Sequence, residues 1–211
     1  MPQPAGCPRC HIPVASVGEE WTCPEHGRIA PLWRPETSTY ESFADHLRAS
    51  PGFPTLVPWP LPDGWSVTDF AVAGATPDRA RATMACVSGP TELDGPVDVI
   101  VVTEEAGTGL GARSAGTVHD DPGADISEGK PVVRVRIDNQ DVSLWTVSTS
   151  SGEQEWDRSV LAGEYAGRWL WLVLRPASAM LLLRDEWILR DVSSLGPHLL
   201  EVPFGGPAPP W

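Results

Sequence analysis

The sequence is short of positive charge. Of its 211 residues, 15 are Lys or Arg against 28 Asp or Glu, a formal net charge of −13, and Lys130 is the single lysine. A surface that acidic repels phosphate backbones and anionic membranes unless a local basic patch intervenes, and no stretch of the sequence supplies one. Long hydrophobic runs are missing as well. The longest strongly apolar run covers residues 169–174, far below the roughly 20 residues that a bilayer-spanning helix needs. The opening MPQPAGCPRC lacks the apolar core of a secretory leader. Cysteine is scarce, with four in the chain. Three of them stand in metal-ligand spacing, which argues against a disulfide framework. These absences predict a soluble cytoplasmic protein with no membrane and no favoured nucleic-acid partner. Phe and Tyr are few, four and two against ten Trp, so Trp carries much of the aromatic burial and each indole N–H will need an acceptor.

What is present suffices for a core. Apolar residues make up 41% and charged residues only 20%, which is not the composition of a disordered chain. The charge is unevenly spread. Residues 1–34 balance Arg9, Arg28 and Arg34 against Glu19, Glu20 and Glu25, so the whole of the −13 falls on residues 35–211. Three regions follow: a cysteine-bearing head over 1–34, a proline-rich connector over 35–64, and a body over 65–211 with an irregular tail from Gly205. In the connector, Ser38 and Glu41 have capping-box spacing, and Tyr40, Phe43 and Leu47 share one helical face that must end before Pro51. The body reads as strands over 65–73, 81–87, 97–103, 133–137, 142–148 and 168–175. Val133, Val135 and Ile137 alternate with Arg134 and Arg136, and Asp138 to Asp141 would form a four-residue hairpin loop. The apolar run capped by Arg168 and Arg175 suits a central strand. Residues 177–190, with Glu186 among them, suit a helix poorly, and a second hairpin is open there. The expected fold class is α+β: a mainly antiparallel β body, a zinc-ribbon-like head and a short connector helix.

The head carries the one specific motif, Cys7-Pro-Arg-Cys10, twelve residues, then Cys23-Pro-Glu-His26-Gly27. Zinc takes four thiolate or imidazole ligands in a tetrahedron. A Cys-x-x-Cys turn converges two side chains from one knuckle, and a second knuckle completes the set. So short a segment cannot bury enough surface to fold unaided, so a structural Zn2+ on Cys7, Cys10, Cys23 and His26 is the expected staple. His11 is a rival fourth ligand, but it abuts Cys10 and would have to bend back. Trp21, two residues before Cys23, would cover the metal.

A second segment invites a functional reading. After the strand ending at Thr103 comes a glycine-rich loop with Glu104, Glu105, Gly109, Gly111 and Arg113. Its glycines allow close backbone approach, either glutamate could act as base or ligand contact, and Arg113 could bind an anion. It is neither a P-loop nor a dinucleotide fingerprint, since no Gly-Lys-Ser/Thr follows and no βαβ pattern surrounds it. The bland alternative is a turn with a solvated ion pair. Cys86 sits inside a strand and reads as a small buried hydrophobe. His119 lies in a surface loop, and His46 and His198 are isolated.

Five segments together resemble an uncharacterised family of high-GC bacteria, the domain of unknown function 6758. They are CPRC…CPEHG, residues 57–65, 104–116, 167–171 and 201–205. The resemblance implies a zinc-ribbon-like N-terminus and a cytoplasmic protein, and it brings no activity and no catalytic residues. The function expected is a non-catalytic binding or regulatory module, with a protein as its possible partner. Two alternatives stay open: an enzyme acting on a small anionic metabolite through the Glu104–Arg113 loop, and a nucleic-acid-associated zinc ribbon.

Overall fold

A computed structural model describes residues 5–18, 20–76, 79–92, 94–117, 119–123, 126–127, 129–149, 157–184 and 187–211. The head folds as three short antiparallel strands, β1 (Ala15–Val17), β2 (Glu20–Cys23) and β3 (Gly27–Ile29). Next come β4 (Leu32–Trp33), helix α1 (Tyr40–Ala49), β5 (Leu56–Pro58), β6 (Ser66–Gly74), β7 (Ala80–Thr91), β8 (Gly95–Glu104) and helix α2 (Leu110–Ala115). The chain then runs through β9 (Val133–Ile137), β10 (Gln140–Thr146), β11 (Ser159–Tyr165), β12 (Arg168–Arg175) and β13 (Ile188–Asp191). Among the described residues, β4 to β13 make a ten-stranded sheet in the order β4-β6-β7-β8-β12-β11-β10-β9-β13-β5. Every neighbouring pair is antiparallel except β13 on β9, which is parallel. The fold class is α+β, as the sequence patterning implies.

The run of apolar residues in β12 has no polar side because neither face meets water. Leu170, Leu172 and Leu174 join Val87, Val99 and Leu161 in one core. Trp171 and Val173 face the other way and join Met84, Ile100 and Leu110 in a second. The sheet curls so that β5, at its far edge, packs across β7, where the Thr83 hydroxyl donates to the Pro54 carbonyl. That closure and the Phe43 face of α1 cover the first core, while α2 and Trp211 cover the second. Each fully buried Leu or Val contributes roughly 1.5–3 kcal/mol, so the doubly covered strands dominate the stability.

Three local expectations change. The capping box of α1 is Thr39 with Ser42, one residue on from Ser38 and Glu41. The Ser38 hydroxyl is taken by the Thr68 carbonyl of β6 at 2.6 Å, a tertiary contact that local spacing does not reveal. On the helix, Phe43 and His46 are buried, Leu47 packs at the margin, and Tyr40 is 38% exposed. The β9–β10 loop has two residues, since Ile137 pairs with Gln140. Asp138 takes φ 52°, a left-handed conformation that Asp tolerates, and Gln140 and Asp141 join the strand. In place of an α-helix or a hairpin, Ala177–Arg184 forms a 3-10 helix, and β13 pairs with β5 and β9. Glu186 lies outside the described residues. Among those residues no helix is long and apolar enough to cross a membrane.

Candidate metal centre and the loop beside it

The first knuckle is closed by pairing of Gly6 with Pro13, and the second is the turn between β2 and β3, where Cys23 pairs with Gly27. Gly27 has φ 65°, which lets the chain reverse directly after His26. The two knuckles bring Cys7, Cys10, Cys23 and His26 together with all four ligand atoms within 4.8 Å of one another. Cys10 Sγ lies 3.6 Å from Cys23 Sγ. His26 Nδ1 lies 3.7 Å from Cys7 Sγ and 3.5 Å from Cys23 Sγ. The backbone N–H of Arg9 donates to Cys7 Sγ at 3.4 Å, as a thiolate-stabilising knuckle requires. Burial pushes the Cys7 thiol up to about 12. Burial also opposes ionisation of Cys23, but hydrogen bonds from the His26 ring and from the backbone N–H groups of His26 and Glu25 outweigh it and bring that thiol to about 6. The cluster could coordinate a metal ion through three sulfurs and one imidazole nitrogen.

His11 is not among the four. It is exposed, and its Nδ1 lies 3.1 Å from the Arg113 guanidinium, which lowers its pKa. Trp21 is half-buried and meets Trp33 edge-on at 5.5 Å. Beyond the knuckles the head is tied to the body. Gly6 and Leu32 exchange backbone hydrogen bonds, and β4 pairs with β6.

The glycine-rich loop sits against this head. Glu104 ends β8 and is fully buried. One carboxylate oxygen accepts the Leu110 N–H at 2.8 Å, while the other has no hydrogen-bond partner among the described residues. Burial pushes this carboxyl up to about 7, against the pull of the N–H groups of Gly111 and Leu110. Glu105 is exposed and pairs with Arg81 at 2.9 Å. Gly109 starts α2 with φ 84°. A Cβ on Gly111 would lie 2.2 Å from the Trp171 ring, so only glycine lets α2 lie this close to β12. Arg113 points away from both glutamates in its contacts: it donates to the Cys7 carbonyl, stands beside His11, and stacks 4.9 Å over the Trp211 ring. The structure thus uses Glu104 to seat α2 and Arg113 to hold the head.

Cys86 is buried, and burial pushes its thiol up to about 12. His46 is buried with Nε2 3.0 Å from Thr55 Oγ1, and burial brings it down to about 3. His119 and His198 are exposed. Trp33 and Trp59 are half-buried and Trp211 is buried, and Trp33 borders a shallow, mostly apolar groove with Pro35, Ala49, Phe70 and Val72.

Sequence reasoning missed a grouping of arginines. Arg9, Arg28, Arg79 and Arg81 line a cavity of about 270 Å3 where the head meets the body, bordered by Gly107 and Thr108. The only local signal is that Arg9 lies inside the first knuckle and Arg28 two residues past the second. The family model described as "Family of unknown function (DUF6758)" matches residues 1–210. No curated protein and no solved structure gives a significant match.

Proposed function

Since the chain belongs to the family of unknown function DUF6758, whose description carries no activity, we propose from its own geometry a cytoplasmic, non-catalytic binding or regulatory module. Its head is held by one structural Zn2+ on Cys7, Cys10, Cys23 and His26. The observation that carries this reading is the spacing of the donors. A tetrahedral site with Zn–S near 2.3 Å and Zn–N near 2.0–2.1 Å needs S···S edges of about 3.8 Å and S···N edges of about 3.6 Å. Three of the six donor separations are 3.6 Å for Cys10 to Cys23 and 3.5 and 3.7 Å for His26 to Cys23 and Cys7, and all six lie within 4.8 Å. Four protein ligands close the shell and leave no position for water, so the ion would be structural. The three head strands bury almost no apolar side chain of their own. Zinc binding, worth roughly 10–16 kcal/mol in such small modules, supplies what their core does not.

The enzyme reading has less support. Its best base, Glu104, is enclosed beneath α2, and its anion clamp, Arg113, is committed to Cys7 and Trp211.

Elemental analysis of the purified protein tests the assignment. One zinc per chain is expected, lost in both Cys7→Ser and Cys23→Ser, with a lowered melting temperature. Metal content unchanged in the two variants overturns it.

A further inference from the structure

We propose that the cavity between head and body binds a small oxyanion of the phosphate type, gripped by Arg28, Arg79 and Arg81. The proposal goes beyond the zinc assignment. It rests on that reading only for the placement of Arg9, inside the first knuckle, and of Arg28, on β3 directly after the second. Arg79 and Arg81 come from the start of β7 and its approach.

In a chain of net charge −13, four of the fifteen basic residues line one cavity of about 270 Å3. Arginines gathered in one concavity of an otherwise acidic chain make a local site where an anion is attracted. Three of the arginines have acidic partners: Asp120 at 3.1 Å from Arg9, Glu20 at 3.0 Å from Arg28, and Glu105 at 2.9 Å from Arg81. None of these acids lines the cavity. Arg79 has no ion-pair partner among the described residues.

The donors divide by task. Arg9 spends Nε, Nη1 and Nη2 on the Thr108 carbonyl, Asp120 and the Gly107 carbonyl, so it builds the wall. Arg81 gives Nε to Glu105 and Nη2 to the Ala106 carbonyl and keeps Nη1 free. Arg28 engages Glu20 through Nη2, and the fork of Arg79 meets no ion-pair partner among the described residues. Planar guanidinium forks match the oxygens of a phosphoryl group in pairs, which a lysine cannot do. The volume of about 270 Å3 lies just below the roughly 300–1,000 Å3 range of drug-sized ligand pockets. That suits inorganic phosphate or the phosphoryl end of a small metabolite.

The test is isothermal titration of the full-length, metal-containing protein with inorganic phosphate and with glycerol 3-phosphate. Chloride holds the ionic strength constant. Saturable binding is expected, weakened about tenfold or more in Arg79→Gln and in Arg28→Gln, as loss of a charge-assisted hydrogen bond implies. Arg134→Gln, on the exposed face of β9, should leave it unchanged. Tighter binding of glycerol 3-phosphate would assign the site to a phosphorylated metabolite, and equal binding to the free anion. Zinc content is measured on the same samples. Arg79→Gln is expected to keep its metal and its melting temperature while losing the anion. A wild-type protein that carries zinc but shows no phosphate binding beyond chloride sinks the anion site and leaves the metal reading intact. So does binding that survives in both arginine variants. Phosphate binding without zinc would do the reverse.

Discussion

Glu104 shows what a single side chain does when its surroundings set its chemistry. Enclosed between β8, α2 and Trp171, its carboxyl rises from the ordinary 4.5 to about 7. The folded state therefore holds a proton that the unfolded chain releases between those values, and stability falls as pH rises through that window. Glu104→Gln keeps the acceptor for the Leu110 N–H and removes the charge. Measured by chemical denaturation, its stability relative to wild type is expected to increase from pH 5 to pH 8, by as much as about 3 kcal/mol. A difference independent of pH would show that the Glu104 carboxyl ionises in the fold as readily as in the unfolded chain, and would overturn the raised value. Gly111 belongs to the same contact, with no room for a Cβ against Trp171. The sequence marked both residues as notable, but for a ligand loop. Nothing local says that Trp171, sixty residues on, closes over them.

At the level of elements, α1 separates a readable signal from its register. A helix beginning near residue 39 with Phe43 inward was legible from its spacing. The cap was not, because Ser38 and Thr39 are both good caps and only the Thr68 carbonyl removes Ser38 from the contest. Thr39→Ala is expected to cost about 1 kcal/mol. Glu41→Ala should stay within about 0.5 kcal/mol of wild type, and urea midpoints of the pair check the assignment. The knuckles were more legible still, since Cys-Pro-x-Cys and Cys-Pro-x-His each specify a turn and the side chains it brings together. β12 was recognisable as central from its unbroken apolar run, whereas the 3-10 segment after Pro176 was not. Its buried Ala179 and Leu183 find their partners only in the first core.

Across the whole molecule the head, α2 and the tail meet at Trp211. Its indole N–H donates to Asp69 at 2.6 Å, Asp69 also holds Arg34 at 2.7 Å, and Arg34 and Arg113 both stack on the ring. A residue in an irregular, proline-rich tail thus joins strand β6, the end of the head and α2. Trp211→Ala is expected to destabilise by about 3 kcal/mol, measured by urea unfolding. Trp211→Phe should recover part of that through the retained ring face. Equal stability of Trp211→Ala and wild type would mean the tail does not hold these parts together.

Taken alone, the sequence determined the Cys3His cluster, the β-rich body, the buried central strand and the acidic character, because each is written in local spacing or in composition. Ligand spacing, period-two alternation and charge balance need no knowledge of the fold. The tertiary structure decided the rest: the burial of Glu104, the commitment of Arg113, the Trp211 junction and the convergence of Arg9, Arg28, Arg79 and Arg81. Those depend on which strands lie side by side and on how far the sheet curls. Residues distant along the chain then share one low-dielectric neighbourhood, and only there do their charges and contacts acquire a role.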